Sequence, residues 1–241
     1  TLFRSYMRAA IRNRISRRSY LQTPIAAELQ EDIRAGGDGL NRESGLAFAF
    51  AEDAGKAFTS MRKSYGMFSG VRSVIVLKGA ADLPDLAEKL GYYGEQLMLD
   101  LTDMGLGTCW VGGTFDRGQF AIPNGETMLC VITVGHVAEQ STKEKLIRHA
   151  LSRKRKPVSQ RLRGYETAPA WVLAAMEAVR LAPSAVNRQK PVFTYDGGTV
   201  TAAVDASRAM DWIDLGIAKL HFAEAAGGRF TFGQDGRFLK E

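Results

Sequence analysis

The segment Tyr92 to Gly113, YYGEQLMLDLTDMGLGTCWVGG, constrains the fold more than any other stretch of the chain. Its apolar residues recur at helical spacing and predict a helix with one buried stripe. These residues are Leu97, Met98, Leu101 and Met104. The glycines that follow are typical of a helix end, and the next four residues suit a buried strand. The final Gly112-Gly113 pair has no side chains, so a flat ligand can approach the main chain closely there.

A weaker copy of this pattern lies near the C-terminus, in Asp211 to Gly228. Gly216 and Gly227 have the same separation as Gly94 and Gly105, and an apolar helix lies between them. A strand-like stretch follows in both copies. The repeat predicts an internally duplicated chain.

Basic residues are concentrated in two segments. The formal net charge is +6, yet residues 1–20 hold six arginines and no acid, and residues 148–163 hold seven basic residues and no acid. Without these thirteen residues the net charge becomes −7. The distribution predicts one or two anion sites rather than a uniformly cationic surface. Nucleic-acid binding is disfavoured, because few aromatic or base-reading groups are interleaved with the charges.

The first basic segment begins with a predicted helix over Leu2 to Arg14, with Phe3, Met7, Ala10 and Ile11 inward. The chain then leaves the helix. Alternate side chains of an extended segment point to one side, so Arg14, Ser16 and Arg18 are expected to converge. Two guanidinium groups and a hydroxyl suit a phosphate monoester.

The second basic segment includes Ser152 to Pro157, SRKRKP, which follows a predicted helix over Lys143 to Leu151. Two interpretations stay open. The segment is either a solvated linker between the halves or the source of a further cation for the phosphate site.

Further elements follow from local patterns. Helices are predicted over Pro24 to about Gly36, Ala51 to Arg62 and Pro169 to Leu181. Strands are predicted over Val71 to Gly79 and Met128 to Gly135.

Composition restricts the class of protein. With 241 residues, 45% of them hydrophobic, the chain can form one large core or two small ones, and no apolar run reaches membrane-spanning length. Cys109 and Cys130 are predicted to be buried free thiols, which fits a cytoplasmic location. Three histidines without paired Cys/His spacing predict no metal site.

Three segments resemble the FMN-dependent nitroreductase family. Arg14-x-Ser16-x-Arg18-x-Tyr20 resembles its N-terminal phosphate-binding motif. Ala182-Pro183-Ser184-Ala185-x-Asn187-x-Gln189 resembles its A-P-S-x-x-N-x-Q-P loop. Residues 105–113, GLGTCWVGG, are close to its G-L-G-T-x-W-x-G-G. The chain is most similar to the branch in which one chain carries both halves of what is usually a homodimer.

The resemblance implies an α+β fold with a central, mainly antiparallel sheet flanked by helices and a pseudo-two-fold internal duplication. It implies one nitroreductase-like domain made of two halves, about 1–157 and 158–241. A functional monomer follows, because a duplicated chain can build one complete flavin site from its own halves. One flavin per chain is expected, since each motif occurs once.

The resemblance also implies how FMN is held. Arg14, Ser16 and Arg18 would bind its phosphate, together with Arg155. Backbone at Gly112 and Gly113 would lie near the flavin ring. The other residues implied to bind the cofactor are Tyr65, Gly66, Pro183, Ser184, Ala185 and Asn187.

The activity implied is ping-pong hydride transfer from NAD(P)H to a small-molecule acceptor such as a nitroaromatic or a quinone. The cofactor does the difficult step, so no catalytic side chain is predicted. The alternative is a sensor or carrier on the same fold that binds FMN or another anion without turnover. Lys190 separates Gln189 from Pro191, and Val192 stands where the family commonly has Trp; both bear on the shape of the substrate face.

Overall fold

The structure is a computed structural model that describes residues 8–60, 65–140, 142–151 and 154–241. The chain forms two compact units. The N-terminal unit comprises Arg14–Leu86 and Leu97–Ser152, and the C-terminal unit comprises Thr1–Asn13, Ala87–Gln96 and Arg153–Glu241. The predicted α+β class is confirmed, and the strands form two sheets, one in each unit.

The N-terminal unit is built on a four-stranded antiparallel sheet of order β1-β2-β4-β3. Its strands are β1 Ala49–Ala51, β2 Ser73–Ala80, β3 Gly107–Val111 and β4 Glu126–Gly135. Its helices are α2 Ala27–Ser44, α4 Thr142–Leu151 and the second part of α3 Leu86–Asp103. The predicted strands over Val71 to Gly79 and Met128 to Gly135 are confirmed within two residues at each end.

The core of this unit explains why β2 and β4 pair. Both strands are rich in β-branched residues, which fit a pleated and buried surface. Val76 of β2 lies opposite Val131 of β4, and both side chains are buried. Phe58, Phe68 and Phe115 pack in the same cluster, and Phe58 and Phe68 meet edge to face with ring centroids 5.3 Å apart.

The C-terminal unit holds a five-stranded sheet of order β5-β6-β7-β9-β8, in which β5 and β6 are parallel and the other pairs antiparallel. Its strands are β5 Leu162–Arg163, β6 Val192–Asp196, β7 Thr199–Ala203, β8 Gly228–Phe230 and β9 Gly236–Lys240. Its helices are α1 Ala9–Asn13, α5 Ala170–Leu181, α6 Ala209–Ala226 and the first part of α3. An aromatic core joins these layers: Phe193 of β6 stacks on Phe222 of α6 at 5.3 Å.

In the C-terminal unit, α3 and α6 cross at two glycines. A Cβ atom added to Gly91 would overlap the backbone oxygen of Ile213, and one added to Gly216 would overlap the backbone oxygen of Glu88. Each helix therefore presents a glycine to the backbone of the other. Only a residue without a side chain permits this approach.

Helix α2 differs from its prediction. The glycines around Gly36 were expected to end it, but it continues to Ser44 and is closed by Gly45 in the left-handed region, at φ +74°. Tertiary contacts override the low helix propensity of glycine. Leu40 is buried beyond the glycines, and the Asn41 side chain binds both the N–H (2.7 Å) and the C=O (3.1 Å) of Phe48.

The helix predicted over Ala51 to Arg62 is wrong for the described residues. A single 3-10 turn, Gly55–Phe58, replaces it. The N–H of Ala54 donates to the backbone oxygen of Arg72 at 2.8 Å, which ties the segment beside the chain that leads into β2. Residues 61 and 62 lie outside the described part of the chain.

The remaining sequence predictions concern the burial of single residues and the presence of membrane-spanning helices. Met104 was expected inward but is 40% exposed, because α3 ends one residue before it. Ala10 and Ile11 of α1 are buried as predicted, whereas Phe3 and Met7 lie outside the described residues. Both cysteines are buried free thiols, as predicted. No helix in the described ranges has the length and apolar character needed to cross a bilayer.

Two glycine substitutions in helices of equal length test this account. Gly37→Ala in α2 should raise the free energy of unfolding by about 1 kcal/mol, because the new Cβ meets no atom within 4 Å and alanine favours helix. Gly216→Ala in α6 should lower it by about 1–3 kcal/mol, because its Cβ has no room. Urea unfolding midpoints measure both. Equal effects of the two substitutions would contradict the close crossing of α3 and α6.

Candidate functional site

The arginine arm, residues 14–20, lies as an extended segment beside β3 in the N-terminal unit. Ser16 forms a parallel bridge with Thr108, and the N–H of Arg17 donates to the Thr108 oxygen at 2.8 Å. Ser19 bridges Ser69 in the same way. The predicted extended conformation is therefore confirmed. The arm therefore pairs with the glycine motif at Thr108, the last residue of its GLGT sequence.

Neighbouring side chains of the arm point to opposite sides, as the alternation of an extended segment predicts. Nη2 of Arg14 donates to Oγ of Ser16 at 3.4 Å, whereas Arg17 points the other way and is only 8% exposed. Burial raises the pKa of the Cys109 thiol, and the charges of Arg18 and Arg14 oppose that rise. Both guanidinium groups therefore act on the same buried sulfur. Nε of Arg18 is buried and has no hydrogen-bond partner within the described ranges.

Glu144 of α4 fixes the backbone of the arm. Its carboxylate accepts the N–H of Arg18 at 2.6 Å and the N–H of Ser19 at 3.1 Å. Nε of Arg17 donates to it at 3.2 Å. Burial raises the pKa of Glu144, but these hydrogen bonds outweigh burial and the net shift is downward. The arm is therefore anchored by an ionised carboxylate on the side away from Arg14, Ser16 and Arg18.

Gly112 and Gly113 lie just past the end of β3 that is opposite the Ser16 bridge. Gly113 is exposed, and a Cβ added to it would meet no atom within 4 Å. Internal packing therefore does not require a glycine there. Gly112 is four residue steps from Thr108 along the strand direction, roughly 13 Å at the usual rise per residue. The arm and the bare backbone thus lie toward opposite ends of β3.

Tyr65 and Gly66 occupy a turn in the N-terminal unit. Both have left-handed backbones, at φ +52° and +62°, and Tyr65 is 69% exposed. Three residues on, Ser69 accepts the N–H of Tyr20 at 3.0 Å. The turn is therefore linked closely along the chain to the arm. Residues 61–64, which precede this turn, lie outside the described part of the chain.

The remaining predicted residues belong to the C-terminal unit. The Pro-Ser loop, residues 182–189, follows α5 and contains a 3-10 turn over Ala185–Asn187. Oγ of Ser184 accepts the N–H of Gln189 at 3.0 Å, and the Ser184 backbone oxygen accepts the N–H of Asn187 at 2.9 Å. The N–H of Ala185 donates to the carboxylate of Asp214. Pro183 lies between helix and turn, as the sequence predicts.

Gln189 joins the second basic segment to the Pro-Ser loop. Its side-chain amide is buried; it accepts the N–H of Lys156 at 2.8 Å and donates to the Lys154 oxygen at 3.2 Å. Residues 154–156 are therefore bound to the loop through their backbone. Arg155 donates from Nη1 to the backbone oxygen of Arg180, at the end of α5. Its predicted contact with a phosphate stays a prediction.

Lys190 has a structural explanation. Its Nζ donates to Oδ2 of Asp211 at 2.9 Å and to the Asp205 oxygen at 3.1 Å, and it lies 3.4 Å from Oγ of Ser207. Burial alone would raise the pKa of Asp211, but bonds from Lys190 and Ser207 lower it to about 2. The extra residue between Gln189 and Pro191 is therefore fixed by a carboxylate at the start of α6.

Sequence reasoning missed Glu144 and Asp214, which hold the arm and the loop. Each lies far along the chain from the segment it binds, and neither forms a motif with it. The signal available was strongest for Asp214, which lies in a helix with few polar residues, where an unpaired buried carboxylate is costly. In the described ranges, no group of three or more His, Cys, Asp or Glu residues converges as a metal site.

Glu144→Gln tests the anchoring of the arm. The substitution keeps the shape but removes the charge that accepts Arg17 and two backbone N–H groups, so the free energy of unfolding at pH 7 should fall by roughly 1–3 kcal/mol. Because the native pKa of Glu144 is lowered, its contribution is present above the unfolded-state pKa and is lost as pH falls through the native pKa. The difference between variant and wild type should therefore shrink on acidification. Urea unfolding at pH 7 and pH 4 measures it, and an effect independent of pH would contradict the ionised anchor.

Comparison with solved structures places this geometry in a known fold. A nitroreductase from Thermotoga maritima superposes with a TM-score of 0.67 at 23% identity, covering 96% of this chain and 91% of the other. A nitroreductase from Bacteroides fragilis with bound FMN covers 56% of this chain and 90% of its own, at 18% identity and a TM-score of 0.43. An NAD(P)H nitroreductase or NADH dehydrogenase of Parabacteroides distasonis reaches 0.49 at 21% identity, covering 64% and 95%. The first of these structures supports the fold, because it is similar over nearly the whole chain. The other two are less similar to this chain.

No curated protein matches the chain. The family described as "Putative TM nitroreductase" matches residues 7–226, which include the arginine arm, the glycine motif and the Pro-Ser loop. The match covers most of the chain. The chain belongs to this nitroreductase family.

Proposed function

We propose that this protein is an FMN-dependent oxidoreductase that transfers hydride from NAD(P)H to a nitroaromatic, a quinone or a similar small acceptor. The observation that carries the proposal is the convergence of Arg14, Ser16 and Arg18 on one side of the arm, in a chain of the nitroreductase family. A functional monomer with one flavin per chain is part of the proposal. It is supported by the single copy of each motif in the sequence.

The residues present fit the phosphate of FMN. Nε of Arg18 is a buried donor without a hydrogen-bond partner in the described part of the chain, and a buried donor of this kind calls for an acceptor. Arginine forks match phosphate geometry, and the adjacent Ser16 hydroxyl adds a donor. Glu144 occupies the backbone N–H groups of Arg18 and Ser19, so a phosphate would be bound by side chains.

The glycines fit the other end of the cofactor. FMN carries its phosphate and its ring at opposite ends of a ribityl chain, and the arm and Gly113 lie toward opposite ends of β3. The open space at the missing Cβ of Gly113 lets a flat ring approach the backbone. The roles of Tyr65, Gly66 and the Pro-Ser loop at the ring stay predictions from the family resemblance.

The protein's task in this proposal is to bind and orient. When bound, FMN supplies the redox chemistry, accepting hydride from NAD(P)H and passing reducing equivalents to the acceptor in a second half-reaction. Arg14 and Arg18 neutralise the phosphate, and Glu144 keeps their backbone in register with β3. No side chain is assigned as a nucleophile or general base.

Flavin retention and reduction test the proposal directly. The purified protein, mixed with FMN and freed of excess, should retain about one flavin per chain, seen as the two-banded visible spectrum. Anaerobic NADH or NADPH should bleach it, and a quinone or nitroaromatic should restore it. Retained flavin that neither donor reduces would favour the sensor or carrier alternative. Two flavins per chain would contradict the single site, and absence of retained flavin would overturn the proposal.

Substitution of the arm tests where the phosphate binds. Arg14→Ala with Arg18→Ala should raise the Kd for FMN by about 100-fold or more, because each charge-assisted bond to phosphate contributes about 1.5–3 kcal/mol. Arg42→Ala, an exposed arginine of α2, is the matched control and should leave Kd unchanged. Fluorescence titration gives Kd, and circular dichroism checks the fold. Unchanged flavin affinity in the double variant would remove the arm from the site.

A further inference from the structure

The Pro-Ser loop of the C-terminal unit is held in a strained conformation. Val186, Asn187 and Gln189 have left-handed backbones, at φ +43°, +53° and +53°. This region is unfavourable for residues with a side chain, and most of all for a β-branched one. The Val186 side chain is 54% exposed, so its own packing does not fix the backbone. Contacts on either side of the strained residues must hold them.

Two buried side chains supply these contacts. At the C-terminal side, the Gln189 amide is bound to Lys154 and Lys156. At the N-terminal side, Asp214 of α6 accepts the N–H of Ala185, with its two oxygens 2.9 and 3.1 Å from the nitrogen. Asp214 is 2% exposed. The strained segment is therefore held by one neutral anchor, the side chain of Gln189 itself, and by one ionisable anchor, Asp214.

The ionisable anchor responds to its surroundings. Burial raises the pKa of Asp214 to about 7. The N–H of Ala185 lowers this pKa, the carboxylate of Asp211 raises it, and the positive charges of Arg161 and Arg188 lower it. Arg161 is itself buried and donates to the backbone oxygens of Pro191 and Val179. Arg161 lies in the turn before β5, Arg188 lies in the Pro-Ser loop, and Asp211 lies one turn earlier on α6.

Ionisation of Asp214 strengthens its hydrogen bond to the Pro-Ser loop. A carboxylate accepts an N–H more strongly than the neutral acid does, because the acceptor carries charge. The Ala185 bond is accordingly a bond to the charged form, which is why it lowers the pKa. The native pKa as a whole is raised, so ionisation lowers the stability of the unit as pH rises through it. The charged state thus fixes the loop at a cost to global stability.

We propose that Asp214 is a positioning residue whose ionised carboxylate holds the Pro-Ser loop in its strained, flavin-binding conformation, so that protonation of this one acid weakens flavin retention. The proposal rests on the proposed function, because that function assigns the loop to FMN. Asp214 acts through the N–H of Ala185 and does not touch the cofactor. It makes flavin affinity depend on pH in the neutral range.

The first test reads the loop itself and needs no flavin. In the full chain labelled with 15N-alanine, the amide resonance of Ala185 should shift between pH 5.5 and 8.5 with a midpoint near 7. Asp214→Asn, which keeps the shape and an acceptor oxygen, should abolish the titration. Asp196→Asn, an exposed carboxyl at the end of β6, is the matched control and should titrate like wild type. An Ala185 amide in wild type that does not titrate in this range would overturn the proposal.

The second test measures the affinity for FMN as a function of pH. In wild type, the Kd for FMN should fall by about threefold between pH 6.5 and 8.5 beyond any change in Asp214→Asn. A tenfold preference of FMN for the ionised form gives this ratio, because about a quarter of an acid with a pKa of about 7 is already ionised at pH 6.5. The comparison is needed because the FMN phosphate has its own ionisation near pH 6, which both proteins share. Identical pH profiles of Kd in the two proteins would overturn the role in flavin binding.

A third variant removes the other partner of the bond. Ala185→Pro deletes the N–H; proline suits the first position of a helical turn, and Ser184 before it is already extended, at φ −152° and ψ 158°. It should flatten the pH profile of Kd as Asp214→Asn does. A full wild-type profile in Ala185→Pro would overturn the proposal. Failure of wild type to bind FMN at any pH would instead overturn the proposed function, and the Ala185 titration would still decide whether Asp214 holds the loop.

Discussion

The C-terminal unit depends on the close crossing of α3 and α6 at Gly91 and Gly216. Side chains beside this crossing are buried, among them Glu88, Glu95, Lys219 and His221. Polar side chains there must then find partners in the protein, because an unpaired buried charge is very costly. Glu88 and Lys219 meet this demand: both are buried and in contact, and Nζ of Lys219 also donates to the backbone oxygens of Thr231 (3.0 Å) and Gly233 (2.9 Å). The crossing therefore also fixes the chain between β8 and β9.

A second buried acid–base pair, Glu95 and His221, lies at this crossing. Nδ1 of His221 faces the backbone oxygen of Ala178 at 3.0 Å, and Nε2 faces Oε1 of Glu95 at 2.9 Å. A backbone oxygen only accepts, so Nδ1 carries its hydrogen. In both buried pairs the acid is on α3 and the base is on α6. The two helices therefore differ chemically at the crossing, although each presents a glycine to the other.

Carboxylates also organise the segments that carry the motifs. The arm and the Pro-Ser loop are irregular or lie at a sheet edge, so their backbone N–H groups lack the full ladder of a strand or helix. Glu144 accepts two of these N–H groups in one unit, and Asp214 accepts one in the other. In both cases a helix supplies the acid, because a helix is rigid enough to position its side chains. Both motif segments are thereby held through their backbone.

Local pattern was sufficient for the long strands of the N-terminal unit and for the extended arm. The period-two alternation of Arg14, Ser16 and Arg18 depends only on strand geometry, and the strands β2 and β4 follow from their β-branched residues. The motifs themselves were readable as well, since their residues lie within a few positions of one another. These features depend on neighbours in the chain, which a sequence displays directly.

Tertiary structure decided what depends on distant partners. Helix α2 passes its glycines because Leu40 and Asn41 bind beyond them, and the 3-10 turn over Gly55–Phe58 forms because it is tied to Arg72. Glu144 binds the arm across 126 residues, and Asp214 binds Ala185 across 29. The sequence by itself determined strands such as β2 and β4, the extended arm and the residues that make up the motifs. The fold determined what holds those motifs in place, because hydrogen bonds to buried acids depend on which surfaces meet after the chain has folded.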